Sequence, residues 1–264
     1  MDKPKVRVSI VPGKQNSGEI TLENPSDEER HIQLYLEDWH YVPSQDGTKE
    51  FLPAASLNNS ASPWISFSPA DFILRPHSRQ RISYTIRMPE GSLGGYYAAL
   101  FFEIALSKLE ETAEGTAAGI GLNVRIATLF YVEAEGTIKR TGVLDNFKVE
   151  NAGKDAPLSI KLDFANTGNV DITAGGTFNL MDRQGMVVAR GEFDKIYTFP
   201  NDKAQLTGIW KENLAPGKYD LVITLDFGLA LAELKIGKGG PVVTKEAQIE
   251  IGTGGRILSV GELK

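Results

Sequence analysis

Three histidines, His31, His40 and His77, are the side chains best suited to bind a metal or to move protons near neutral pH. None stands at a ligand spacing from another. Asp38 and His40 alternate onto one strand face, which offers two donors where a structural site needs four, so hydrogen bonding is their expected role. The chain has no cysteine, which excludes disulfides, thiolate metal sites and thiol nucleophiles. It has no Gly-x-Ser-x-Gly elbow. The glycines between 115 and 121 match neither a dinucleotide fingerprint nor a phosphate loop, and they open no helix. Glu28-Glu29 and Glu110-Glu111 fall in turns or loops, where solvated surface is the expected reading. Asn169, Asp171 and Asp182 are calcium-type ligands, but the loops around them lack the usual density of oxygen donors. Asn58-Asn59-Ser60 is a formal glycosylation acceptor. These residues predict a protein that is not an enzyme and holds no cofactor or metal.

The spacing that remains is that of a surface rather than a reaction centre. From Gly119 to Val132 the chain reads GIGLNVRIATLFYV. Ile120, Leu122, Val124 and Ile126 alternate with Gly121, Asn123, Arg125 and Ala127, which is a strand with one apolar face. Leu129 to Val132 then run together without a polar residue, as in a strand buried on both sides. Upstream, Ser107 to Ala118 is charged and small, the composition of a loop.

The elements that must carry this stretch are strands. Turn residues recur about every 8–12 positions, as in an all-β sandwich. Val6/Val8/Ile10, Ile20/Leu22, Ile32/Leu34/Leu36, Ile82/Tyr84/Ile86 and Leu158/Ile160/Leu162/Phe164 all alternate, and so do Leu221 to Phe227 and Ala247 to Ile251. Helix-like stretches are confined to Ser107–Ala113 and Leu229–Leu234, too short to stand alone. The 264 residues suit two domains, and the weakest patterning, between Glu135 and Gly142, divides 1–136 from 137–264. Both halves contain a strand ending in an Asn turn, Asn24-Pro25-Ser26 and Asn166-Thr167-Gly168. The predicted core aromatics are Trp64 and Tyr96 in the first half, and Phe164, Trp210 and Tyr219 in the second. The net charge of −6 gives no reason to expect nucleic acid or an anionic membrane as partner. No run reaches the ~20 apolar residues of a membrane span. Met1-Asp2-Lys3-Pro4 leads directly into strand-like sequence. That suits either a cytosolic start or a mature exported product with an added Met.

In order along the first half, several pieces resemble the N-terminal domain of the PapD-like periplasmic pilus chaperones. They are the strand Val8–Pro12, ITLENPS (20–26), Leu36-Glu37-Asp38-Trp39 ahead of Asp46-Gly47, Trp64–Pro69 with Phe72–Pro76, and IATLFY (126–131). The second half looks like a bacterial immunoglobulin or fibronectin-type module. The resemblance implies two tandem immunoglobulin-like β-sandwiches and an exported, periplasmic or cell-surface chaperone for pilus-type subunits. It implies a client held by strand addition, in which main-chain hydrogen bonds supply affinity and alternate side chains fill pockets. The partner-binding residues are then Ile120, Leu122, Val124 and Ile126. The family also anchors a client's terminal carboxylate with two basic residues, one on the first strand and one just before the aromatic pair of the closing strand. Here Thr128 holds the second position, and Arg7 and Arg125 are the nearest candidates, provided that an insertion or bulge shifts the register. An apolar face is also what any core strand shows, so a structural or adhesive module of a surface assembly is the alternative.

Overall fold

A computed structural model of the protein describes residues 1–106, 123–151, 158–233 and 240–264. The chain is all-β and forms two compact units, Met1–His40 with Glu50–Ile138 and Tyr41–Lys49 with Lys139–Lys264.

In the first unit the alternating runs become β1 (Lys5–Ile10), β2 (Gln15–Glu23), β3 (Arg30–Tyr41), β4 (Lys49–Pro53), β5 (Ile65–Ser68), β6 (Asp71–Leu74), β7 (Arg79–Arg87), β8 (Gly95–Ala105) and β9 (Asn123–Ala134). One sheet runs β1-β9-β8-β3-β4, with β6 beside β3, and the other runs β2-β7-β5. The inward side chains of both sheets share one core: Ile20, Ile82 and Ile86 from one, Leu100, Phe102, Phe130 and Val132 from the other. Two faces closing on one core make a sandwich. Trp64 and Tyr96 are only half-buried. Their rings pack together at 4.2 Å against the edge of this core. The fully buried tryptophan is Trp39, whose indole N–H donates to the Ala98 carbonyl at 3.2 Å and whose ring meets Tyr97 and Tyr131 edge-on.

The second unit has β10 (Gly142–Glu150), β11 (Leu158–Asn166), β12 (Ile172–Met181), β13 (Val187–Thr198), β14 (Lys203–Trp210), β15 (Gly217–Asp226), β16 (Val242–Ile251) and β17 (Ile257–Val260), with a helical turn α1 (Leu229–Glu233). All eight strands form one sheet, ordered β10-β11-β14-β13-β12-β15-β16-β17. The sheet curls around a single core that includes Leu162, Phe164, Phe178, Leu206 and Ile223. The Asn151 side chain ties its ends, donating to the Gly255 carbonyl at 2.8 Å and accepting the Ile257 N–H at 3.2 Å. Tyr219 is buried and its hydroxyl donates to the Ala215 carbonyl at 2.6 Å, closing the turn that launches β15. Trp210 is half-buried at the rim of the core, where its ring packs against the core without being enclosed.

The two Asn turns are built alike. Asn24 and Asn166 are 5% and 1% exposed. Each side-chain oxygen accepts the N–H two residues on, from Ser26 at 3.1 Å and Gly168 at 2.9 Å. The Asn24 amide donates to the Glu28, Leu74 and Arg75 carbonyls, and the Asn166 amide to the Val170 and Thr198 carbonyls. Removing either side chain strands buried acceptors, which costs about 1–3 kcal/mol. Asn24→Ala and Asn166→Ala should each lower the urea midpoint of their own unit, while Asn58→Ala, at an exposed position, leaves both unchanged.

Candidate functional site

The two-faced start and doubly buried finish of β9 follow from its neighbours. β8 pairs with β9 antiparallel along its whole length, from Gly95↔Glu133 to Ala105↔Asn123. β1 runs parallel on the other side and covers Leu129 to Ala134 alone. Leu129, Phe130, Tyr131 and Val132 are therefore 9%, 0%, 3% and 0% exposed. From Asn123 to Ala127 the side of β9 turned away from β8 has no strand partner among the described residues.

Which groups face that side follows from strand alternation. The Leu129 N–H donates to the Pro4 carbonyl on the β1 side at 3.0 Å, whereas the Ala134 N–H donates to Gly94 on the β8 side at 2.8 Å. Odd residues thus point their N–H and C=O groups away from β8. On the open stretch these are Asn123, Arg125 and Ala127. Even residues carry the inward side chains: Ile126 is half-buried against the core and Val124 is 39% exposed. Ile120 and Leu122, the other two members of the apolar row, lie outside the described residues.

Arg7 and Arg125 are not brought together. The β8–β9 and β1–β9 registers are unbroken, so no bulge moves Arg125 along the strand. Arg7 stands opposite Tyr131, six residues from Arg125, which is roughly 20 Å along a strand. Arg7 is buried, ion-paired with Glu133, and lies over the Tyr131 ring at 4.3 Å. Thr128 is fully buried and its hydroxyl donates to the Lys3 carbonyl at 2.7 Å.

Arg125 belongs to a different group on the outward face. Its guanidinium donates to Glu37 at 3.0 Å and to the Tyr35 hydroxyl at 3.3 Å, and it covers the Phe101 ring at 4.5 Å. Tyr35 stacks on Phe101 and donates to Glu103 at 2.9 Å, and Glu103 accepts the Asn123 amide at 2.8 Å. The Tyr35 bond and the Glu37 charge raise the Arg125 pKa, which keeps it cationic. Burial raises the Tyr35 phenol, so it stays a neutral donor. Period two places Tyr35 and Glu37 on one face of β3. That they meet Arg125 depends on register across β8, which a single sequence does not display.

The remaining polar residues serve turns and surface pairs. His31, His40 and His77 each face a carboxylate, Asp71 at 2.8 Å, Glu50 at 3.3 Å and Asp27 at 2.7 Å. Asp38 is buried and accepts the hydroxyls of Ser60 and Ser62 and the Leu57 N–H, holding the loop after β4. Asn169 accepts the Lys139 N–H, and Asp182 closes the β12–β13 hairpin by accepting the Gln184 and Met186 N–H groups. No cluster of metal-ligating side chains occurs among the described residues.

No family model matches the sequence, and no curated protein matches it significantly. Solved structures do. The class 5 fimbriae chaperone CfaA superposes with a TM-score of 0.50 at 13% identity, over 92% of this chain and 96% of that one. A chaperone–tip adhesin complex of CFA/I fimbriae biogenesis gives 0.48 at 12%, over 93% and 96%. The E. coli chaperone DraB gives 0.43 at 14%, over 92% of each chain. The first of these defines the architecture. The chain has the fold of the PapD-like fimbrial chaperones, two immunoglobulin-like sandwiches in tandem.

Proposed function

We propose that this is an exported, non-enzymatic chaperone-like protein that binds subunits of a pilus or surface assembly by strand addition along Asn123–Ala127. The observation that carries the reading is the half-covered β9. One side is fully paired, and the other leaves the main-chain groups of Asn123, Arg125 and Ala127 facing outward beside Val124. Proteins normally blunt or cover such an edge, because it templates pairing with other chains. The C-terminal strand β17 pairs with β16 within the second unit. Alternating apolar side chains next to outward main-chain donors and acceptors are what strand addition requires. The fold is that of fimbrial chaperones, which suits this use of the edge, and the periplasm is the compartment in which such a client would be met.

Amide hydrogen exchange tests the reading at single residues. The probe is an end-blocked peptide of alternating valine and threonine, an extended strand with one apolar face. In the free protein the Arg125 and Ala127 amides should exchange quickly and the Thr128 amide slowly. Saturating peptide should slow Arg125 and Ala127 by at least about tenfold and leave Thr128 unchanged. If peptide brings no protection to Arg125 and Ala127, the edge does not accept strands and the reading fails.

A further inference from the structure

An arginine on an open strand edge ordinarily guards it. Its long cationic side chain lies over the unpaired main chain, and its five N–H donors suit the outward carbonyls. Arg125 sits in the middle of the open stretch, yet its side chain runs the other way. It crosses the Phe101 ring on β8 and ends at Tyr35 and Glu37 on β3. β3 lies beyond β8 as seen from β9, so the guanidinium is drawn away from the open side. Asn123 is turned in the same direction by Glu103. Ala127, the remaining outward residue, has only a methyl group to offer.

We infer that Tyr35, Glu37 and Phe101 form a clamp that holds Arg125 off the β9 edge and keeps that edge clear for an incoming strand. Arg125 is then a positioning residue rather than a contact for the client. This rests on the strand-addition reading and adds what regulates access to the edge. Two hydrogen bonds and a ring contact fix a side chain that would otherwise sample the open side. Binding therefore does not have to wait for that side chain to move, and the effect of preorganisation falls on the rate of association.

The test uses the full chain and the same valine–threonine peptide. Tyr35→Phe/Glu37→Ala removes both hydrogen bonds while keeping the Tyr35–Phe101 ring stack. It should slow peptide association about tenfold, with the melting temperature of the first unit nearly unchanged. Adding Arg125→Ala to that variant should restore most of the lost rate, since no guanidinium is left to fall across the edge. A purely structural role for Tyr35 and Glu37 predicts no rescue. A direct contact between Arg125 and the client predicts a further loss. Either result, or an unchanged rate in the double variant, overturns the clamp. A Val124→Glu control separates the two proposals. If it abolishes binding while the clamp variants bind normally, strand addition stands and the clamp falls. If the unaltered protein shows no peptide protection at all, both fall.

Discussion

Phe178→Ala is expected to cost the second unit about 3–5 kcal/mol, the usual range for emptying a buried aromatic position. The ring is fully buried and meets Phe193 edge-on at 5.7 Å. It is seated against two glycines on neighbouring strands: a Cβ at Gly191 would lie 2.3 Å from its ring, and one at Gly208 2.9 Å. Glycine is needed at both places because the ring fills the space a side chain would take. The glycines carry no side chains of their own to relax into the cavity left by alanine, and Phe193, whose ring also lies over Gly208, is the neighbour placed to do so. At about 4 °C per kcal/mol, the melting transition of the second unit should fall by roughly 12–20 °C. In calorimetry of the full chain the transition of the second unit is expected to move while that of the first stays in place. A shift of only a few degrees would mean that the second core does not centre on Phe178.

Leu122→Glu/Val124→Glu is expected to leave the protein folded and to remove strand binding. Val124 is partly exposed, and its carboxylate replacement can reach water in the free protein. Under an added strand the same carboxylate would lose that water, and burying an uncompensated charge costs several kcal/mol. That corresponds to a loss of more than 100-fold in affinity, at about 1.4 kcal/mol per factor of ten. Circular dichroism melting and peptide titration are read together. A folded double variant without binding is the expected pair of results. A variant that unfolds would assign these side chains to the core, and a folded variant that still binds would place the binding surface elsewhere on the protein.

Strand positions, the Asn turns and the fold class were legible in the sequence because they rest on local rules. Side chains alternate at a period of two, so a row such as Ile82, Tyr84 and Ile86 announces an inward face wherever its strand is placed. An Asn followed two residues later by its own hydrogen-bond donor makes a turn whichever sheet it joins, and Asn24 and Asn166 do so in both units. The change within β9, from one apolar face to continuous burial, was visible for the same reason.

Pairing and register were decided by tertiary structure alone. Period two tells which face a residue occupies and is silent on which strand lies beside it. Arg7 and Arg125 read as a possible pair, but one unbroken register sets them far apart and gives each its own carboxylate, Glu133 and Glu37. Trp39 and Trp64 are alike as residue types. The sheet order encloses the first and leaves the second at a rim. Among the described residues, the open edge depends on how far β1 reaches along β9, from Leu129 to Ala134. Such long-range contacts are chosen by the packing of whole faces, so the sequence showed that Val124 and Ile126 share a face, and the position of β1 determined where the main chain beside them has no strand partner among the described residues.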